Sequence, residues 1–534
     1  MTKYVFVTGG VCSGLGKGIT ASSIALLLKA KGYKIFMQKF DPYMNVDPGT
    51  MSPIQHGEVF VTADGCETDL DLGHYERFID EELNYTSNIT NGKIYSSVIE
   101  KERRGDYLGA TIQIVPHISN EIKNKIYEAG TTSKADIVIT EIGGTVGDIE
   151  SAVMMESLRQ FKMEQGEKNT LFVHTTLIPY LYGSNELKTK PTQNSIIDLR
   201  RLGIQPDIIV TRSNINIGDH IKDKISLFGS IPKENIIEAV DVTNIYQIPI
   251  NFHKQNIEEI ILNKFNLENN KSNLKYWEDL IHTVNNLKKE VEISLVGKYV
   301  ELHDAYLSVM ESLKHAGYKY KYKVKINWVD SEKLEKEGTD LKKIFKNTKG
   351  ILVPGGFGYR GIEGKIKACK YARENNIPYL GICLGMQIAV IEFARNVCGI
   401  EDASSTEFCD SCNNPVIDLM ADQKTIVNMG GTLRLGNYEC TLVKDTLASK
   451  LYSKDKILER HRHRYEFNNK YKEILEEKGM VFSGLNEPSN LAEIIEIPSH
   501  PFFIASQFHP EFKSRPTRPH PLFDGFIKAS IEKK

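Results

Sequence analysis

Short apolar runs that end in polar residues alternate with longer stretches of helical periodicity through the first half of the chain. Residues 4–7, 34–37, 137–140, 171–174 and 208–211 read as strands. A helix is predicted from residue 17 to residue 31, stopped by Gly32. Unbroken apolar strands joined by helical crossovers imply a parallel sheet covered on both faces. Between residues 265 and 290 the composition shifts to Asn, Lys and Glu, and residues 291–296 then begin a new apolar strand. The pattern resumes with strands at 323–329, 350–353, 378–382 and 502–506. The expected fold is α/β, with two doubly wound, mainly parallel-sheet domains. They are bounded as residues 1–265 and 291–534, with 266–290 as a linker.

Composition narrows the partners. The chain has 534 residues, 41% hydrophobic and 25% charged, with a formal net charge of -2, so no overall basic field invites nucleic acid and small-molecule partners are expected. Eight scattered cysteines, with no apolar segment at the start, lead us to expect a reducing cytoplasm rather than a disulfide framework. Every apolar run is broken by Lys, Glu or Gly well short of the roughly 20 residues that cross a bilayer, so no membrane association is expected.

Three motifs in the second half carry chemistry. Gly381-Ile382-Cys383-Leu384-Gly385 follows an apolar strand and precedes a helical run, which places Cys383 on a sharp strand-to-helix turn beside a helix N-terminus. The alternative for this pentapeptide alone is a buried structural cysteine. Phe508-His509-Pro510-Glu511 stands just after the last apolar strand, so His509 can take the thiol proton and Glu511 can orient the imidazole; the alternative is a surface loop with a helix-starting Pro-Glu pair. Pro354-Gly355-Gly356-Phe357-Gly358 ends another strand, and its glycines let backbone N–H groups approach an oxyanion. Cys409 and Cys412 have zinc-like spacing, but no second such pair follows, and metal binding there is not expected. His461 and His463, interleaved with Arg460, Arg462 and Arg464, fit an alternating strand better than a metal or nucleic-acid patch.

These residues resemble the class I (triad) glutamine amidotransferases over about residues 291–530. The resemblance implies Cys383, His509 and Glu511 as the triad. It implies Gly356, Leu384, Gly385, Met386, Gln387, Glu407 and Arg464 as glutamine contacts, and the stretch from Gly430 to Gly436 as a flap.

In the first half, the Gly-rich stretch from Gly9 to Gly18 joins the first strand to the first helix, where a phosphate-binding loop belongs. Its spacing departs from the standard nucleoside-triphosphate loop, and Gly18 stands where a magnesium-binding hydroxyl is usual, so a chance glycine turn remains an alternative. Asp71 and Glu141 are the candidate magnesium carboxylates, Glu141 lying at the carboxyl end of a strand; either could instead be a solvated loop charge.

The stretches 40–53, 55–61 and 188–193 resemble the CTP synthase family, and the resemblance covers nearly the whole chain. It implies an N-terminal P-loop-like synthetase that transfers the ATP γ-phosphate to O4 of UTP, followed by displacement with ammonia released from glutamine. It implies that Ser13, Gly14, Leu15, Gly16, Lys17, Gly18 and Ile19 hold ATP phosphates, that Val240, Asp241 and Val242 meet the adenine, and that Asp71 and Glu141 hold Mg2+. Lys17 and Lys39 would be the cations at the reacting phosphoryl group. UTP would contact Ser13, Lys188, Thr189, Lys190, Pro191, Thr192, Gln193 and Lys224. CTP would inhibit at an overlapping site with Asp148, Ile149 and Glu150. GTP is implied as an activator near Arg360 and Glu363, and a homotetramer, with filaments as a further state, as the assembly. Two departures from the family pattern are Gly14, where Ser is common, and His303-Asp304-Ala305-Tyr306-Leu307, where Pro and Lys are usual at the ends. The nearest rival is a cobyric-acid-type amidotransferase. A partition-type nucleotide switch would leave Cys383, His509 and Glu511 without a task.

Overall fold

The structure, a computed structural model, describes residues 1–409, 411–419 and 431–533. Two compact units divide it: Met1–Asp47 with His74–Ile281, and Pro48–Gly73 with His282–Lys534.

The sheet of the first unit has seven strands. In chain order they are β1 (Lys3–Gly9), β2 (Ile35–Asp41), β3 (Asn88–Thr90), β4 (Ile137–Ile142), β5 (Thr170–Leu177), β6 (Ile208–Ser213) and β7 (Ile236–Val240). Their spatial order is β7-β6-β5-β1-β4-β2-β3 and every pairing is parallel. β1, β2 and β4 are almost entirely buried, as a sheet covered on both faces requires, and this is why they read as continuous apolar runs. Helix Lys17–Ala30 is buried along nearly its whole length, which its Ala, Ser and Leu content permits. Within the 266–290 stretch, Lys275–Asn285 form a helix whose Trp277 is 1% exposed, donates from Nε1 to Tyr246 O at 2.8 Å and packs against Phe78.

Among the described residues, the sheet of the second unit has nine strands: β8 (Lys289–Gly297), β9 (Tyr322–Asp330), β10 (Gly350–Val353), β11 (Tyr379–Ile382), β12 (Arg434–Leu442), β13 (Lys456–His463), β14 (Val481–Asn486), β15 (Leu491–Glu496) and β16 (Phe503–Ser506). Their order is β9-β8-β10-β11-β16-β15-β14-β12-β13. The five strands from β9 to β16 pair in parallel, and the four beyond pair antiparallel. The sheet is thus mixed, parallel only in the half that carries the nucleophile. The antiparallel half mixes polar with apolar positions, so a search for continuous apolar runs passes over it.

Pro48–Gly73 clusters with the second unit although it is N-terminal in sequence. Its hairpin of Phe60–Val61 and Glu67–Thr68 is held there by polar bonds. Arg460 donates to Val61 O at 3.0 Å, Arg462 pairs with Glu67 at 2.8 Å and donates to Gly49 O at 3.0 Å, and Glu58 accepts from the Ser308 amide at 2.8 Å.

Candidate active site

In the second unit, β11 delivers Cys383 to the N-terminus of helix Leu384–Asn396. The turn is tight: Cys383 has φ 52° and ψ −103°, a conformation that costs about 1–3 kcal/mol outside glycine and is kept where function needs it. A Cβ on Gly385 would come within 2.1 Å of Val353 O, so only glycine lets the helix start this close to β10.

β16 delivers the partners. His509 Nδ1 bonds Glu511 Oε1 at 2.7 Å, both residues are buried, and Nε2 is the ring nitrogen left for Cys383. Burial opposes charge on the ring, but the Glu511 carboxylate and then Cys383 outweigh it and push the His509 pKa up to about 10. Gly355 lies between them: a Cβ there would sit 2.9 Å from His509 Cε1 and 3.6 Å from Cys383 Cβ. Thiol, imidazole and glycine loop open on a cavity of about 270 Å³ whose walls include Gly356, Phe357, Arg462, Glu511 and, from the Pro48–Gly73 segment, Gly49, Pro53 and Val59.

The expected glutamine contacts are placed unevenly. Gly356 lines the cavity, with Leu384 Cδ2 3.6 Å from where its Cβ would be. Gln387 donates to Tyr465 O at 3.1 Å. Glu407 accepts from the Gly358 amide at 2.6 Å, its pKa raised by burial, and Arg464 donates to Thr432 at 2.8 Å. Neither Glu407 nor Arg464 reaches the cavity wall. Gly430, expected in the flap, and Asp410, between the paired cysteines, lie outside the described residues. His461 and His463 are buried on β13, hydrogen-bonded to each other at 2.8 Å, their pKa values lowered chiefly by burial. Together with the Arg434 pairs to Glu466 at 3.0 Å and Glu493 at 2.7 Å, they underlie the strand that presents Arg462.

In the first unit the glycine-rich loop leaves β1 and enters helix Lys17–Ala30 through Gly16 at φ 84°. Val11 in the same loop has φ 83°, a strained value for a β-branched residue. Lys17 Nζ donates to Gly144 O at 2.6 Å, and the Val146 amide donates to Gly9 O at 2.8 Å. The loop after β4, which runs on to Asp148, Ile149 and Glu150, therefore lies against the phosphate loop, with the Asp148 carboxylate accepting from the Thr145 amide at 2.8 Å. Glu141 is 3% exposed, accepts from the Tyr75 hydroxyl and stands in register beside Lys39, which pairs with Asp41 at 3.2 Å. Asp71 opens helix Asp71–Ile79.

Sequence reading missed Arg212, at the end of β6. It donates to Gly14 O at 2.9 Å and pairs with Asp241 at 3.0 Å, and so ties the phosphate loop to the Val240-Asp241-Val242 stretch. Lys188 pairs with Glu186, which also feels the charge of Lys224. Thr192 donates to Leu177 O at 2.9 Å and Gln193 to Thr189 at 3.1 Å, anchoring the start of helix Lys190–Arg201.

A thiol on a strand-to-helix elbow, backed by an imidazole and a carboxylate, is the apparatus of a glutamine amidotransferase, and residues 301–529 match the family described as "Glutamine amidotransferase class-I". Residues 3–267 match "CTP synthase N-terminus". A CTP synthase of Caldanaerobacter subterraneus is 57% identical over 534 residues, covering 100% of this chain and 99% of that protein. One of Bacillus subtilis is 57% identical over 532 residues, with the same coverage. The chain belongs to the CTP synthase family, whose members are glutamine-dependent ligases. Among solved structures, the Trypanosoma brucei CTPS glutaminase domain with bound acivicin is 41% identical, covering 46% of this chain and 95% of that one with a TM-score of 0.44.

Proposed function

We propose that the chain forms CTP from UTP, ATP and glutamine by three chemical steps divided between its two units. The observation that carries this is the thiol, imidazole and carboxylate set at one strand edge, joined in one chain to a glycine-rich loop whose lysine is held at the strand ends.

In the glutaminase, Cys383 attacks the glutamine amide, and backbone N–H groups of Leu384 and the Gly355-Gly356 loop receive the developing oxyanion. His509, kept cationic by Glu511, gives its proton to the departing ammonia, and water then releases glutamate from the thioester. In the synthetase, Lys17 neutralises charge on the transferring phosphoryl group as O4 of UTP displaces ADP. Phosphorylation turns a poor leaving oxygen into a good one, and ammonia displaces it.

Magnesium fits the residues present. Glu141 is a buried carboxylate at the carboxyl end of β4, beside Lys17's loop, and a hard cation takes such oxygens. Among the described residues no cluster of three or more His, Cys, Asp or Glu side chains could hold a metal alone, which suits an ion that takes the rest of its ligands from phosphates. When bound it offsets charge between the two triphosphates. Asp71→Asn combined with Glu141→Gln is expected to raise the magnesium concentration for half-maximal turnover by about tenfold or more, since neutral amides are poor ligands for it. A titration of initial rate against magnesium checks this; an unchanged midpoint removes both residues from the metal site.

CTP is expected to compete with UTP through shared triphosphate contacts at Lys188 and Lys224, with Asp148, Ile149 and Glu150 facing the base. Lys188→Ala should weaken both nucleotides in parallel, by about 10-fold for loss of a charge-assisted contact. Inhibition kinetics at several UTP concentrations decide it: CTP inhibition that saturating UTP leaves intact contradicts the shared site. GTP activation near Arg360 and Glu363, a homotetramer and a cytoplasmic location complete the reading. No helix among the described residues is long and apolar enough to cross a membrane.

A further inference from the structure

The bond from Nδ1 to Glu511 leaves the His509 ring one soft motion, a tilt about that bond, which carries Nε2 away from Cys383. Phe512 opposes the tilt. It follows His509 by three positions in the tight turn Pro510–Lys513, where side chains three apart eclipse, and its amide donates to His509 O at 3.3 Å. The two rings stack with centroids 5.1 Å apart and planes 15° from parallel. Phe512 is backed in turn by Phe60, whose ring meets it edge-on with centroids 5.0 Å apart and planes at 67°. Phe60 is 0% exposed and Phe512 3%.

Arg460 closes the circuit from the other side. Its guanidinium donates to Val61 O at 3.0 Å and lies over the Phe60 ring, 5.5 Å from the centroid, while its own carbonyl accepts from the His509 amide at 2.8 Å. The hairpin strand Phe60–Val61 therefore reaches His509 by two routes, the main chain through Arg460 and the side chain through Phe512. Val59 lines the cavity at Cys383 but Phe60 does not, so the Phe60 ring acts on the imidazole and not on the substrate.

We propose that Phe60 is a positioning residue of the glutaminase: through Phe512 it fixes the tilt of the His509 ring, so the working amidotransferase site includes a hairpin from the N-terminal part of the chain. This rests on the reading of Cys383 and His509 as the glutaminase pair. A side chain that merely fills the core supports every activity of the chain alike, whereas a backstop for one ring acts on the step which that ring performs. Truncating Phe60 leaves the thiol, Glu511 and the cavity walls in place, so glutamine still binds. The loss falls on kcat, because a misplacement of about 1 Å can cost on the order of 100-fold.

The test measures glutamine hydrolysis by the full-length protein. Phe60→Ala is expected to lower kcat by about 10-fold or more, with KM for glutamine within about threefold of wild type. Phe60→Leu keeps bulk behind Phe512 and should recover most of the rate. Phe60→Ala added to Phe512→Ala should cost little beyond Phe512→Ala alone, because both act through one imidazole. CTP formation from ammonium chloride reports on the rest of the molecule and should stay within about twofold. A folded Phe60→Ala protein with wild-type kcat overturns the proposal. So does an equal loss with ammonium chloride, a loss confined to KM or to melting temperature, or a loss that Phe60→Leu fails to restore. If Phe60→Ala does not fold, Phe60→Val decides by the same kcat criterion. A wild-type chain that hydrolyses no glutamine would overturn the glutaminase reading itself, which separates that failure from this one.

Discussion

Cys383→Ala is expected to lower CTP formation from glutamine by about 10,000-fold or more while leaving formation from ammonia close to wild type. The thiol is the only nucleophile on the elbow. His509 is tied to Glu511 through Nδ1, and among the described residues that line the cavity Cys383 alone carries a thiol able to form the thioester. The proposed synthetase chemistry at Lys17 and the glycine-rich loop does not use the thiol and takes free NH3 as its nitrogen source, so ammonium salt at raised pH, where more of it is unprotonated, restores product. Cys383→Ser should behave almost like Cys383→Ala: a hydroxyl has a much higher pKa than a thiol, and His509 is held cationic and is a poor base for it. Paired initial rates with glutamine and with ammonium chloride check this. Equal loss of both would remove the division of labour, and retention of both would remove Cys383 as the nucleophile.

Lys17→Ala should lower CTP formation from either nitrogen source by roughly 100- to 1,000-fold, the usual cost of deleting one preorganised charge at a developing phosphoryl anion. Lys17 is buried, and the bond from its ammonium to Gly144 O fixes that charge before any nucleotide binds. Lys39 cannot take over, because its ammonium is engaged with Asp41. Basal glutaminase activity should survive. Near-normal amination in a folded Lys17→Ala protein would mean that the glycine-rich loop does not hold the ATP phosphates.

What the sequence made legible is what local chemistry dictates. The elbow at Cys383 and the loop from Gly9 to Gly18 are written in glycine placement, because the backbone there adopts conformations or close approaches that side chains resist. The central parallel strands are written in unbroken apolar runs. The four antiparallel strands of the second sheet were not, since polar residues interrupt them and their pairing is fixed by partners far along the chain. Arg212 escaped notice for the same kind of reason. A single arginine at a strand end carries no signal until the fold brings Gly14 and Asp241 to it. The docking of Pro48–Gly73 within the second unit likewise depends on Arg460 and Arg462, some 400 residues away.

The most direct measurement follows the nitrogen. The purified protein, given UTP, ATP, magnesium and glutamine labelled with 15N in its amide, should yield CTP one mass unit heavier, the label residing on the 4-amino group. With Cys383→Ala the labelled product should vanish, and unlabelled ammonium should restore CTP at its ordinary mass. UTP left unconsumed while glutamine is hydrolysed, or label arriving in a different acceptor, would contradict the account.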